Sequence, residues 1–177
     1  MADIEQLPNQ FDAKKHTCKA VIESPKGRRS KFKYQPDSGL FSLSKVLPQG
    51  FTFPVDFGFI PSTKGDDDDP LDVIVLMDEP THVGCLVDVR LIGVIKVVQT
   101  EGGKQVRNDR LLAVAGPSIE YADTNSIQDL PKSFLEQLSE FIGLYNKNTE
   151  KRDSVEGVEG ADAAVRLLQN AMKRFRS

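Results

Sequence analysis

The sequence predicts an α+β chain that is mainly β, with strands first and helices last. Two features carry that expectation. Between residues 17 and 115 the chain breaks into short β-branched or aromatic runs separated by glycine- and proline-bearing turns, the pattern of strands. Beyond Pro131 the apolar residues recur at intervals of three and four, the stripe of amphipathic helices. A curled or closed antiparallel sheet with helices against it meets this succession, and a five-stranded barrel is one solution that removes the open edges.

Each element has its own local reason. Residues 1–15 are polar and are expected to drape over the surface. Thr17 to Glu23 alternates, with Cys18, Ala20 and Ile22 on one face, and Pro25 to Arg29 is a turn. A second short strand places Phe32 and Tyr34 on one face and Lys31 and Lys33 on the other. Pro36-Asp37-Ser38-Gly39 turns the chain, and Leu40 to Val46 returns as a strand. Phe51 to Ile60 is aromatic and β-prone but broken by Pro54 and Gly58, as in a bent edge segment. Leu71 to Met77 reads as a buried strand. Leu86 to Val98 is long for one strand; Asp88 and Arg90 share a face with Ile92, and Gly93 marks a bulge or bend. Glu101-Gly102-Gly103-Lys104 is a hairpin turn, and Leu111 to Ala115 a further strand closed by Gly116-Pro117. Pro131 suits a first helical turn, after which Phe134, Leu138 and Phe141, with Leu135, Ile142 and Tyr145, form one stripe. Asn146 to Gly160 is polar and glycine-bearing. A second helix, Ala161 to Phe175, turns Ala164, Leu168, Met172 and Phe175 inward, and Lys173, Arg174 and Arg176 suit its C-terminal dipole.

Bulk numbers bound the function classes. A chain of 177 residues, 39% hydrophobic and 28% charged, can build a core. No repeat or long linker divides it, so residues 1–177 are expected to form a single domain. A net charge of -3 argues against an overall nucleic-acid footprint. No run approaches the roughly 18 apolar residues of a membrane span, and no leader stands at the N-terminus, so a soluble cytoplasmic protein is expected. Cys18 and Cys85 lie in apolar patterns and read as buried thiols rather than a disulfide or ligands.

The chemistry concentrates at residues 66–72, where five carboxylates stand in seven residues as Asp-Asp-Asp-Asp-Pro-Leu-Asp, directly before the Val73 to Met77 run. Pro70 fixes its own φ and restricts Asp69 to an extended conformation. A proline turn lets Asp67, Asp69 and Asp72 converge. Two carboxylates about 4 Å apart repel by about 1 kcal/mol in water and about 4 kcal/mol at an effective dielectric of 20, so convergence calls for protons or a cation. Oxygen ligands without histidine point to Mg²⁺ or Mn²⁺. The bland reading of such a run is an exposed, solvated acidic loop. Against it stand Lys31, Lys33, Lys45 and Arg110 in or beside strands. If they face the same cleft, metal ligands and phosphate-neutralising groups coincide, as phosphoryl transfer to water requires.

These residues resemble the family I soluble inorganic pyrophosphatases. The family signature is Asp, a small or polar residue, Asp, Pro, an apolar residue, Asp, apolar; here it stands as Asp67-Asp68-Asp69-Pro70-Leu71-Asp72-Val73. The flanks follow in order: Val21-Ile22-Glu23-Ser24-Pro25, Ser30-Lys31-Phe32, Phe53-Pro54-Val55-Asp56-Phe57-Gly58-Phe59-Ile60, Gly93-Val94-Ile95-Lys96, Leu112-Ala113-Val114 and the helix ending in Tyr145. The resemblance covers a core of about residues 15–175. It implies a five-stranded, oligonucleotide-binding-like (OB-like) antiparallel barrel with flanking helices. It also implies hydrolysis of inorganic diphosphate to two orthophosphates by a Mg²⁺-activated water, with Mn²⁺ as the alternative ion. Diphosphate and phosphate are then the partners, without nucleic acid or membrane, in a homo-oligomer for which a hexamer is favoured. By position, Asp67, Asp69 and Asp72 look like the catalytic metal carboxylates, with Asp69 orienting and deprotonating the attacking water. Glu23 looks like an outer metal carboxylate, Lys31 a phosphate ligand and Tyr145 a hydroxyl donor to phosphate.

The sequence also departs from that pattern. Lys45 stands where the family has arginine, losing the bidentate fork, though it and Arg110 remain candidate substrate-binding cations. Phe53 and Phe57 replace tyrosines, Lys33 replaces a glutamate, and Asn146 replaces a lysine. The second metal-binding segment reads Asn108-Asp109-Arg110, which makes Asp109 a metal ligand only with a one-residue shift; Glu101 is the nearest carboxylate to its missing partner. A missing charged contact costs about 1.5–3 kcal/mol. The alternative function is therefore a catalytically weakened or inactive pyrophosphatase-like protein that binds a phosphorylated ligand or acts as a scaffold.

Overall fold

The computed structural model describes residues 3–147 and 149–177. Among them are nine strands and two α-helices: β1 (Thr17–Ser24), β2 (Ser30–Gln35), β3 (Leu40–Val46), β4 (Asp56–Ile60), β5 (Leu71–Leu76), β6 (Leu86–Glu101), β7 (Lys104–Arg107), β8 (Arg110–Ala115), α1 (Lys132–Leu144), β9 (Arg152–Gly160) and α2 (Ala161–Arg176).

Five strands close on themselves in the order β1, β4, β5, β8, β6 and back to β1. The ring is OB-like, as expected, but not wholly antiparallel: β5 and β8 run parallel, Val73 to Leu76 against Leu111 to Val114. Parity dictates this. A closed ring with an odd number of strands cannot alternate direction all the way round, so one pair must run parallel. The apolar runs of β5 and β8 are buried on both faces, which is why they read as continuous rather than alternating. One set of side chains, including Cys18, Ile22, Ile60, Val73, Leu91 and Leu111, draws on all five ring strands and packs with Ala164, Leu168 and Ala171 of α2. The opposite set, including Ile74, Ile92, Ile95, Leu112 and Val114, meets Leu138 and Ile142 of α1.

The segment before Ile60 is not an edge. β4 pairs with β1 on one side and β5 on the other, and Gly58 is required there because a Cβ would lie 2.0 Å from the Val21 carbonyl oxygen. Gly58→Ala is expected to destabilise the fold by about 3 kcal/mol, read as a lower urea midpoint. The bulge expected at Gly93 is present, with the β6–β8 register shifting between Leu91 and Gly93. It lets the 16-residue β6 serve the ring with its first half and pair β7 and β9 with its second.

Other expectations need correction. β9 lies in the stretch read only as polar; its glycines and glutamates carry little β-propensity, yet it pairs with β6 from Gly93 to Thr100. The inward stripe of α2 runs through Ala164, Leu168 and Ala171, leaving Phe175 39% exposed. Cys18 is buried, and burial pushes its thiol up to about 12, whereas Cys85 is only half-buried; both are free. No helix among the described residues is long and apolar enough to cross a membrane.

Candidate active site

The acidic loop is tied into the fold at its base, while the Asp66, Asp68 and Asp69 side chains remain exposed. Thr63 Oγ1 accepts from the Leu71 N–H at 2.9 Å, and the Gly65 N–H donates to the Asp69 carbonyl at 2.8 Å, closing the loop at its base. The Lys64 N–H donates to the Ala171 carbonyl at 3.1 Å, near the C-terminus of α2. Arg174 then bonds the Lys64 carbonyl and pairs with Asp66, each at 2.9 Å. Asp68 takes the left-handed conformation, φ 68°, which aspartate tolerates. Its side chain points to Lys64 at 2.9 Å. Asp66 and Asp68 thus fasten the loop, while Asp67 and Asp69, with Asp72 at the start of β5, line a cavity of about 470 Å³.

That cavity gathers most of the residues singled out in the sequence. Glu23, Lys31, Lys45 and Tyr145 line it, together with Lys33, Glu101, Asn108 and Asn146. Burial, then the charges of Asp72 and Asp69, push the Asp67 carboxyl up to about 6. Burial also pushes Glu23 to about 7, against the Tyr34 N–H that donates to it at 3.1 Å, with Asp72 adding to the rise. Burial is the larger cause of both rises, and the repulsion from neighbouring carboxylates adds to it; an oxygen-only set of this kind fits a hard divalent cation. Among the described residues no three such side chains are gathered at metal-holding distance. Protein cations sit on two of them: Lys33 Nζ lies 3.0 and 3.1 Å from the Asp69 oxygens, and Arg110 Nε lies 3.5 Å from Asp72.

Two sequence-derived candidates do not face the cavity. Asp109 is turned into the protein: its Oδ1 accepts from the Val97 N–H at 2.9 Å and its Oδ2 meets Lys96 Nζ at 2.5 Å. Asn108 faces the cavity instead, because Arg110 pairs with Ile95 of β6 and leaves no room for the one-residue shift. Arg110 is 1% exposed and stands behind the wall, where it donates to the Tyr145 hydroxyl at 3.2 Å and the Asn108 carbonyl at 3.4 Å. Burial works against its charge, but Tyr145, Asp72 and Asp153 outweigh it and raise its pKa. It is not among the residues that line the cavity, but it braces two that are, Tyr145 and Asn108.

On the opposite wall, Lys45 Nζ donates to Asn146 Oδ1 at 2.5 Å and to the Tyr145 carbonyl at 3.2 Å, and lies 4.3 Å from the Tyr145 ring centre. Sequence reasoning missed what stands behind it. Asp153, at the start of β9, accepts from Asn146 Nδ2 at 2.6 Å and Gln99 Nε2 at 2.8 Å. Its only sequence signal is an aspartate in a polar stretch.

A family model described as Inorganic pyrophosphatase matches residues 20–176. The chain belongs to the inorganic pyrophosphatase family. Relatives named inorganic pyrophosphatase include one from Synechocystis, 33% identical over 174 residues, covering 98% of this chain and 99% of the relative. Another, from Haloferax volcanii, is 35% identical over 98% of this chain and 94% of its own length. The crystal structure of inorganic pyrophosphatase from Thermus thermophilus superposes with a TM-score of 0.91 at 28% identity, covering 99% of this chain and 100% of that one.

Against the pattern of the pyrophosphatase family, the replacements have distinct structural roles. Phe53 is 1% exposed, with its ring centre 5.2 Å from that of Phe57 and 5.7 Å from that of Phe141, so it packs and needs no hydroxyl. Asn146 links Lys45 to Asp153. Burial, then Lys31, lower the Lys45 ammonium to about 8, with Asp153 opposing. Its charge is present below that value and lost above it. Phosphate affinity is therefore expected to fall by about tenfold as pH rises from 7 to 9, and Lys45→Arg, which stays charged, is expected to flatten that fall. Calorimetric phosphate titrations across that range check it.

Proposed function

We propose that the chain hydrolyses inorganic diphosphate to two orthophosphates with the help of divalent cations, Mg²⁺ or Mn²⁺. The observation that carries this reading is the single cavity in which Asp67, Asp69, Asp72 and Glu23 face Lys31 and Lys45. Family membership supports the same reaction. Asp67, Asp69 and Asp72 would hold the cations, with Glu23 beside them. Such ions, when bound, supply Lewis acidity and lower the pKa of water. The chain's own residues do the rest. Lys31 and Lys45 set positive charge where the phosphate oxygens lie, and Tyr145 offers its hydroxyl to the same end of the cavity. Asp69, 57% exposed at its side chain and paired with Lys33 at 3.0 Å, would accept a proton from the attacking water once that lysine is displaced.

The Lys33–Asp69 pair bears on rate rather than on the reaction. Both partners are about half-exposed, and a pair of that kind contributes about 0–1 kcal/mol. A divalent ion would displace it at little cost, so the pair is expected to slow turnover by no more than about fivefold. Self-association into a hexamer belongs to the same proposal; exposed Leu40, Leu43 and Val46 on β3 support it.

The test is phosphate release from diphosphate by pure protein with Mg²⁺, with Mn²⁺ and with a chelator. Release that needs either ion is expected. Equal release with and without cation, or none with both ions, contradicts the reading.

A further inference from the structure

Asp153 is the buried acid for which the proposed reaction has no use. Its side chain is 0% exposed, and a carboxylate so placed is costly unless it is hydrogen-bonded or paired. Here it is both. Gln99 Nε2 donates to one oxygen at 2.8 Å, Asn146 Nδ2 to the other at 2.6 Å, and Arg110 Nη2 lies 3.7 Å away. Asn146 is an amide with its two ends divided. The NH₂ end donates to Asp153 and the carbonyl end accepts from Lys45 Nζ at 2.5 Å. An anionic Asp153 therefore fixes which way the amide points, and the amide in turn presents an acceptor to the ammonium.

We propose that Asp153 is a positioning residue that acts through Asn146 to orient the Lys45 ammonium into the cavity and keep it charged there. The charged groups around Lys45 make the need plain. Lys31 on β2, Arg110 on β8 and Lys151 just before β9 all repel it, while Tyr145 offers its carbonyl and ring face. Asp153 is the anion among the groups that set its charge. The phosphate-facing end thus has a lysine and a relayed carboxylate where the family pattern has an arginine, which needs no such help. The proposal rests on the hydrolase reading only for what Lys45 faces.

The test reads Lys45 directly. Acylation of Lys45 by acetic anhydride, followed by mass spectrometry at a series of pH values, gives its titration midpoint without any turnover. In the native protein the midpoint is expected near 8. In Asp153→Asn it is expected to fall by about one pH unit, the effect of one nearby carboxylate, and the alkaline limb of kcat/KM is expected to move with it. Asn146→Ala cuts the same link at its other end, shifts the midpoint in the same direction, and serves if Asp153→Asn does not fold. A purely structural Asp153 would lower the melting temperature and leave the Lys45 midpoint where it was; that result overturns the proposal. A shifted midpoint in a native protein without diphosphatase turnover would uphold the positioning role and sink the hydrolase reading.

Discussion

Arg110→Met is expected to lower the stability of the chain by about 3–5 kcal/mol, the cost of removing one partner from a buried ion pair. Arg110 is 1% exposed and lies 3.5 Å from Asp72 and 3.7 Å from Asp153. Methionine fills much of its volume but leaves Asp153 buried with only the Gln99 and Asn146 amides. For a chain of this length the loss corresponds to a fall in melting temperature of roughly 10 °C. The double variant Arg110→Met with Asp153→Val removes both charges, and most of the lost stability is expected to return. Thermal melts of the two single variants and the pair complete the cycle. Additive losses in the double variant would show that the two residues do not act on one another.

Asp69→Asn is expected to reduce diphosphate turnover by about 10²–10⁴-fold, the usual contribution of a positioned acid or base. The substitution keeps shape and removes charge. The Asp69 carboxylate is half-exposed and its protein partner is Lys33, so the melting temperature is expected to stay within the range of a surface change, about 0.5 kcal/mol. Unchanged melting with collapsed phosphate release separates a role in chemistry from a role in folding. A loss of less than tenfold would place the proton acceptor elsewhere, with Asp67 the next carboxylate in the cavity.

The acidic loop and the ring were legible because their signals are local. Pro70 and the carboxylates around it sit within seven residues, and the apolar runs of β5 and β8 and the stripes of both helices announce themselves by period. Other features depend on pairing between distant segments. β9 has the composition of a loop and becomes a strand because β6 extends beyond the ring to meet it. That pairing sets Gln99 opposite Asp153, so the polar network under Lys45 is a product of register, not of sequence spacing. Lys33 reaches Asp69 across 36 positions. Arg110 begins an apolar strand and reads as a cation in contact with ligand; only the packing of β6 and Tyr145 around it reveals that it lies behind the wall. Asp109 was open between two registers, and the Ile95–Arg110 pairing turned it toward Lys96.

At the centre is the claim that Asp67, Asp69 and Asp72 form a binding site for divalent ions. Calorimetric titration of Mg²⁺ into the protein without substrate tests it most directly, beside the same titration of Asp67→Asn. Saturable binding to the native chain, weakened by about tenfold or more when the Asp67 charge is removed, is the expected result. Native protein that takes up no Mg²⁺, or an Asp67→Asn variant that binds it equally well, would contradict the claim.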